Sequence, residues 1–233
     1  MLKFYYHPTP NPMKVALFLA EAELPFELVP VDTAKGEQHE LAFRALNPNG
    51  KVPAINDDGT VVFDSNAILL YLAEKTEKFL GNTEDRGELL SWLMFVASGL
   101  GPFSGQSVHF QRAAPEKIPY AQNRYLREAE RHYDVLNTRL KGREFIVSDS
   151  FTIVDIATWA WVDRADLVLG MGRIREFSEV DRWFQAVNAR PAVAHARMIG
   201  KDVEFKAQGD EASRRALYPS NYAATTSLLA SKL

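Results

Sequence analysis

The sequence predicts an α/β part followed by an all-helical part. Three observations carry this prediction: the first eighty or so of the 233 residues alternate β-type and helical patterns, a polar turn-forming stretch follows at 81–85, and the later residues are mostly helical in periodicity. The length also favours two domains over one. We expect an α/β domain at 1–80, a linker at 81–86, a helical domain at 87–199 and an extension at 200–233.

The elements of the first part follow the order βαβαββα. The patterns predict strands at 2–6, 26–31, 52–56 and 60–63, and helices at 13–23, 39–46 and 65–75. An Asp-Gly turn between the last two strands predicts an antiparallel hairpin. The first βαβ unit should be parallel, so the expected result is a small α/β sandwich.

The second part should contain helices at 87–100, 120–141, 152–169 and 180–188, the last of them ended by Pro191. The run GLGPFSGQ at 99–106 has three glycines and a proline, which predicts a kinked or broken helix that lines a cleft. The extension, with its small-residue run at 223–227, is expected to be draped over the surface or partly disordered.

Composition narrows the possible functions. The chain has 46% hydrophobic residues, a net charge of −3 and no cysteine. Nucleic acid is therefore an unexpected partner, and neither disulfides nor a protein thiol can contribute chemistry. No apolar stretch suits a membrane span, so we expect a cytoplasmic protein without membrane attachment. The five histidines are scattered, and no metal site is expected.

Three short segments of the α/β part could form a site. Asn11 is suited to cap the first helix, with Pro12 in its first turn, which leaves helix amides free to attract an anion. Pro53 precedes an apolar strand, and a cis Val52–Pro53 bond would turn the backbone of Val52 outward to pair with an extended peptide. Ser65 can cap the next helix, whose amides would attract a carboxylate.

Taken singly, each segment is better explained by a purely structural role. Asn11 would only cap its helix, Pro53 would be a trans proline, and Ser65 would only cap the next helix beside a solvated Asp64. Taken together, a helix N-terminus, an X–Pro edge and a second capped helix match a short peptide ligand. Local pattern alone leaves both readings open.

Three stretches resemble the glutathione transferase superfamily: NPNGKVPAI at 47–55, FDSNAILLYL at 63–72 and FTIVDIA at 151–157. The third also has a direct physical reading, because Thr152 and Asp155 stand in capping-box relation, with Phe151 and Ile156 placed as a hydrophobic staple. Its role is therefore in folding. The stretches TPN at 9–11, KGEQ at 35–38, GLGP at 99–102 and AAPEKIPYA at 113–121 resemble the bacterial nu class, which is similar to yeast prion-type transferases.

This resemblance implies a thioredoxin-like first domain, a homodimer, and glutathione, reduced or as its disulfide, as cosubstrate. It implies that Thr9 and Asn11 face the sulfur, either of them as the main thiol partner. The implied glutathione contacts are Val52 at the cysteinyl backbone with Lys51 and Pro53 beside it in sequence, Asp64 and Ser65 at the γ-glutamyl end, Gln38 at the glycyl end, and Arg124 from the helical domain.

Two positions depart from the pattern of the family. Asp64 stands where glutamate is more usual, and Ser91 stands where the class has a glutamine that reaches glutathione across the dimer. Tyr5 and Tyr6 lie inside the first predicted strand, so we interpret them as packing residues and assign the thiol to Thr9 or Asn11. Outside these stretches, Trp159 and Trp161 are interpreted as core aromatics, and His109 and Phe110 as candidates to line a substrate pocket.

The expected activity is glutathione-dependent reduction of small disulfides, with no metal. Two alternatives remain: a general transferase that conjugates electrophiles in detoxification, and a glutathione-binding stress or regulatory protein without turnover. Because the chain has no cysteine, both reacting sulfurs must come from glutathione and the substrate.

Overall fold

The N-terminal part is a four-stranded mixed sheet flanked by helices. The structure is a computed structural model that describes residues 1–207 and 209–222. The strands are β1 (Leu2–Tyr6), β2 (Phe26–Pro30), β3 (Ala54–Asp57) and β4 (Thr60–Phe63), in the order β2-β1-β3-β4. β1 pairs parallel with β2 and antiparallel with β3, which forms the predicted antiparallel hairpin with β4. The predicted βαβαββα order is confirmed.

Three α-helices belong to this sheet: α1 (Pro10–Ala22), α2 (Leu41–Leu46) and α3 (Ser65–Thr76). The predicted start of α1 at residue 13 was wrong, because Pro10 already occupies the first helical turn, where a missing N–H costs nothing. The helix predicted at 39–46 is shorter, and a 3₁₀ turn, Glu37–His39, precedes it.

The C-terminal part is all helical within the described residues. Its α-helices are α4 (Arg86–Phe95), α5 (Gly101–Val108), α6 (Pro119–Arg139), α7 (Ile153–Val162), α8 (Ala165–Val168), α9 (Ser178–Asn188), α10 (Pro191–Met198) and α11 (Glu211–Leu217). The single helix predicted at 152–169 is split into α7 and α8. α9 ends at Asn188 before Pro191, as predicted, and Pro191 then lies in the first turn of α10. Within the described ranges, no helix has the length and apolar character needed to cross a bilayer.

The run at 99–106 was predicted to be a kinked or broken helix lining a cleft: a break is not observed, and the cleft lining is confirmed, since Gly101, Pro102, Gly105 and Gln106 line a cavity. The chain stays helical from α4 through α5, because π-helical turns at Val96–Leu100 and His109–Ala113 flank α5. Pro102 lies at the start of α5, where the wider turn before it accommodates the proline. Gly99 lets this helix approach α6 closely, since a Cβ at Gly99 would lie 2.3 Å from Nε2 of His132.

One apolar core joins the two parts of the chain. α1 packs on α3 of its own part and on α7 and α10 of the helical part. The capping box at the start of α7 is confirmed: Thr152 Oγ1 accepts from the Val154 amide, and Asp155 Oδ2 accepts from the Thr152 amide. The buried Asp155 carboxylate also accepts from the amide of Ile146 and from Nε1 of Trp183, so it fixes three segments of the core.

The described part of the extension runs back over the sheet domain. This confirms, for the described residues, the prediction that the extension is draped over the surface. The Phe205 ring lies 4.6 Å from the ring of His7, and the Lys206 amide donates to Oδ2 of Asp32 at 2.8 Å. Helix α11 and a 3₁₀ turn, Pro219–Tyr222, follow. The small-residue run at 223–227 lies outside the described residues. We call the described residues after 199 the C-terminal segment.

Candidate functional site

A cavity of about 720 Å³ lies between the sheet domain, the helical domain and the C-terminal segment. The size is within the range of small-molecule sites. The side of the cavity formed by the sheet domain is lined by Asn11, Lys14, Asn47, Asn49, Lys51, Val52, Pro53, Asp64, Ser65 and Asn66. The opposite side is lined by Val96, Ala97, Gly101, Pro102, Gly105, Gln106, His109, Phe110, Trp161, Tyr218 and Asn221.

Asn11 lies in the first turn of α1 and not at its N-cap. Thr9 occupies the N-cap position with extended backbone, and its hydroxyl makes no capping bond. The prediction that Asn11 caps the helix was therefore wrong, because the helix starts before it. The side chain of Asn11 lines the cavity, and its Oδ1 accepts from Oγ of Ser65 at 3.4 Å.

Ser65 was predicted to cap α3, and this was also wrong. The N-cap is Asp64, whose Oδ1 accepts from the amides of Asn66 at 2.9 Å and Ala67 at 3.2 Å. The N-cap is one residue earlier than predicted because the Asp64 side chain accepts from the amides of both Asn66 and Ala67. The buried Ser65 hydroxyl is therefore not used as a cap, and it donates to Asn11. Asp64 itself is exposed at the cavity edge, and its Oδ2 takes no part in the cap.

The Val52–Pro53 peptide bond is cis. Both residues line the cavity, and they directly precede β3, which begins at Ala54. Among the described residues, no hydrogen bond is made by the backbone N–H or C=O of Val52. This leaves one donor and one acceptor for an extended ligand, as the sequence reading anticipated for a cis bond.

Sequence reasoning missed Lys14, which lines the cavity although it is only 2% exposed. Its Nζ donates to Ser65 Oγ and Asn66 Oδ1, both at 3.2 Å. Burial lowers the pKa of Lys14 to about 7, and the negative charge of Asp64 opposes this shift. A signal was present: α1 is apolar on nearly all sides, and a lysine within such a helix must be buried with it.

The helical side of the cavity is partly aromatic. His109 and Phe110 line it as the sequence suggested, and burial lowers the pKa of His109. Trp161 also lines the cavity, so its interpretation as a core aromatic was incomplete, whereas Trp159 is fully buried. Tyr218 closes one edge, with its ring 5.2 Å from that of His109 and 5.6 Å from Nζ of Lys51.

Four of the residues named from the sequence do not line the cavity. Thr9 is half-buried beside it. Gln38 is buried and donates through Nε2 to the Ala216 carbonyl at 3.2 Å, because the C-terminal segment covers it. Arg124 is exposed and pairs with Glu128 one helical turn along α6, at 2.8 Å. Ser91 is exposed on α4 and donates to the carbonyl of Gly87 at 2.8 Å.

The tyrosines of β1 are packing residues. Tyr6 is buried, and its hydroxyl donates to Sδ of Met13 at 3.4 Å. Burial raises the pKa of Tyr6 to about 12, which disfavours a tyrosinate. Tyr5 packs edge-on against Phe43. Neither tyrosine lines the cavity, whereas Asn11 and Ser65 do.

Two family models match the chain. Residues 1–74 match the N-terminal domain of glutathione S-transferase, and residues 119–186 match its C-terminal domain. Disulfide-bond oxidoreductase YfcG of Escherichia coli is 42% identical over 227 residues, which cover 91% of this chain and 99% of YfcG. The chain therefore belongs to the glutathione S-transferase family.

Further comparisons point to one branch of that family. Disulfide-bond oxidoreductase YghU of Escherichia coli is 37% identical over 86% of this chain and 75% of its own length. A glutathione transferase homologue from Lodderomyces elongisporus, solved with two glutathione molecules per subunit, superposes with a TM-score of 0.81 at 32% identity, covering 85% of this chain and 98% of its own. The chain is thus a glutathione S-transferase of the disulfide-reductase type.

Proposed function

We propose that this protein uses glutathione to reduce small disulfides, and that the cavity described above is the reaction site. The single observation that carries this assignment is the set of groups from the start of α1, the segment before β3 and the start of α3 that converge on the cavity: Asn11, the free backbone of Val52, and Asp64 with Ser65. The relatives support it, since two are named disulfide-bond oxidoreductases and a neighbour from Pseudomonas putida, 35% identical, was solved with one glutathione disulfide per subunit.

The residues present fit glutathione. An extended tripeptide needs a backbone partner, and Val52 offers both an N–H and a C=O. The γ-glutamyl end carries an ammonium and a carboxylate; the free oxygen of Asp64 suits the first, and the backbone amide of Ser65, which the Asp64 cap leaves unengaged at the start of α3, suits the second. Asn11 at the start of α1 provides a donor for the sulfur.

The chemistry itself needs no protein thiol. Glutathione supplies the thiolate, and in the complete reaction two glutathione thiols are oxidised to their disulfide while the substrate disulfide is reduced to two thiols. The protein holds the reacting sulfurs close and in line. Lowering a thiol pKa from about 8.5 to about 6.5 gives only about a threefold net gain in rate at neutral pH, because nucleophilicity falls as the pKa falls. Positioning must therefore provide most of the acceleration.

Two contacts implied by the family resemblance are replaced in this proposal. Gln38 and Arg124 point to other partners, so glutathione binding at the glycyl end falls to Lys51, Asn49 and the C-terminal segment, which line that side of the cavity. Of the two candidate thiol partners we choose Asn11 over Thr9, because Asn11 lines the cavity and Thr9 does not.

We further propose that the protein is a nu-class homodimer. Exposed apolar side chains on β4 and α4, namely Val61, Phe63 and Met94, favour an interface on that side of the molecule. Because the Ser91 hydroxyl bonds within its own helix, this interface lacks the glutamine contact of the class. Light scattering after size exclusion should give the mass of a dimer, and a monomer mass would contradict this.

A cytoplasmic location is also part of the proposal, because the reaction needs a pool of reduced glutathione. A fluorescent fusion observed in the source cell should fill the cytoplasm, and exclusion from it would contradict the assignment.

The experiment that tests the function compares two assays on the purified protein. Glutathione-coupled reduction of hydroxyethyl disulfide should proceed well, and conjugation of a chloronitrobenzene should be poor. Conjugation without disulfide turnover would replace the proposal by that of a general transferase active in detoxification. Silence in both assays, with glutathione bound, would leave a binding role.

A further inference from the structure

Lys14 is a buried amine at the proposed reaction site, and the charge of Asp64 acts on it without a direct contact. No ion pair of Lys14 occurs within the described residues; its two polar partners, Ser65 Oγ and Asn66 Oδ1, are neutral. A charged amine out of water is costly unless it is paired. A leucine or methionine would fill the same space at no such cost, so packing alone does not account for a lysine here.

The hydrogen bonds of Lys14 fix which neighbouring groups donate and which accept. Since Ser65 Oγ accepts from Nζ, the one hydroxyl hydrogen of Ser65 goes to Oδ1 of Asn11. With its oxygen so engaged, Asn11 has its amide nitrogen left as a donor, and Asn11 lines the cavity. The chain of bonds therefore runs from the ammonium of Lys14 through a hydroxyl to the amide beside the reacting sulfur.

The other titratable groups that line the cavity are Lys51, Asp64, His109 and Tyr218. Lys51 is exposed at the rim, and Asp64 directs one oxygen to the amides of α3. Burial lowers the pKa of His109, which favours its neutral form, and raises that of Tyr218, which also stays neutral. Lys14 is thus the one buried amine among the described residues of the cavity, and it carries a positive charge when protonated.

We propose that Lys14 is a positioning residue of the thiol site: it orients Ser65 so that Asn11 presents an N–H to the sulfur, and its ammonium favours the anionic form of that sulfur. This inference rests on the proposed function, because it assumes that a glutathione thiol is bound next to Asn11. It predicts a thiolate that is more stable when bound than in water, and less so when the charge at position 14 is removed.

The test measures the thiol pKa of bound glutathione from the ultraviolet absorbance of the thiolate, with S-methylglutathione as the blank. Lys14→Met should raise this pKa by about one unit, a tenfold loss of thiolate at a given pH below it. Lys3→Met, which changes an exposed lysine on β1, should leave it unchanged. Binding of S-methylglutathione reports whether each variant still forms the site.

Two chemically modified forms of one variant, Lys14→Cys, test the same charge without relying on the folding of Lys14→Met. The chain has no cysteine, so Lys14→Cys carries a single thiol that can be alkylated in denaturant before refolding. An aminoethyl group restores the ammonium, and a propyl group gives the same shape without charge. The aminoethylated protein should regain the lowered thiol pKa, and the propylated protein should not.

The possible failures differ. If the wild-type protein binds neither glutathione nor S-methylglutathione, the proposed function fails and the inference falls with it. If the wild type binds glutathione but the bound thiol has the same pKa with the aminoethyl and the propyl group, the inference alone is overturned, and Lys14 is a structural residue.

Discussion

Ser65 Oγ lies 3.4 Å from Oδ1 of Asn11 and joins the first turn of α3 to the first turn of α1. The two residues are 54 positions apart in sequence, and both line the cavity. The contact exists because neither side chain caps its own helix: Thr9 and Asp64 hold those positions. Two helix N-termini are thereby held at a fixed distance around the place where a thiol would react.

Replacing Ser65 should weaken both glutathione binding and turnover. In Ser65→Ala the oxygen of Asn11 and the ammonium of Lys14 lose a partner, and a buried polar group without a partner costs about 1–3 kcal/mol. We expect kcat/KM for disulfide reduction to fall at least tenfold. The control is Ser98→Ala, since that exposed hydroxyl bonds only to the carbonyl of Met94 on α4. Equal activities of the two variants would contradict the role of Ser65.

The ring of Tyr218 should control how tightly the cavity holds its ligands. Tyr218→Ala removes the ring that lies against His109 and Lys51 and opens the edge of the cavity formed by the C-terminal segment. We expect KM for the disulfide to rise several-fold, with a smaller change in kcat, in steady-state kinetics. Tyr120→Ala alters an exposed ring away from the cavity and should behave as wild type. An unchanged KM in Tyr218→Ala would remove the C-terminal segment from the site.

Asp155 should matter for stability. Its carboxylate accepts from four donors in the core: the amides of Ile146 and Thr152, the Thr152 hydroxyl and Nε1 of Trp183. Asp155→Ala removes the acceptor of all four, and we expect a loss of about 3 kcal/mol in the free energy of unfolding by urea. Asp149→Ala, at an exposed position, serves as control. A loss below that of the control would exclude the capping box as a stabilising element.

The buried lysine predicts a pH dependence of stability. The pKa of Lys14 is about 7 in the folded protein against 10.5 ordinarily, so the unfolded state binds more protons between these values. Stability should therefore rise with pH from about 7 to about 10.5, by up to about 1.4 kcal/mol per unit, and this contribution should be flat below pH 7.

The measurement is the difference in unfolding free energy between wild type and Lys14→Met, taken in urea at several pH values without ligand. The difference cancels the titration of other groups. A difference that does not change from pH 7 to pH 10 would mean that Lys14 is charged in the folded state throughout.

The sequence predicted the fold well because the fold follows from local patterns. Alternation and helical periodicity gave the order βαβαββα, and the Thr152–Asp155 capping box needs only residues three apart. The cis bond at Val52–Pro53 was anticipated as one solution, but no local pattern decides between the isomers.

The site was harder to predict because its contacts join distant segments. The sequence pattern could not show that the side chain of Asn11 accepts from Ser65 and does not cap α1. Nor could it show that the carbonyl of Ala216 accepts from Gln38, which is 178 positions earlier in the sequence. A lysine in a helix is usually solvated, so Lys14 was missed; only the burial of α1 on several sides reveals it. The π-helical turns around α5 likewise depend on packing against α6 and α7.

The central claim is that the cavity around Asn11 binds glutathione for disulfide reduction. The most direct measurement is kcat/KM for glutathione-coupled reduction of hydroxyethyl disulfide by wild type and Asn11→Ala, with glutathione binding measured in parallel. The account predicts robust turnover by the wild type and a loss of about a hundredfold or more in Asn11→Ala, because the donor to the sulfur is gone. Wild-type turnover in Asn11→Ala would contradict it and place the reaction elsewhere.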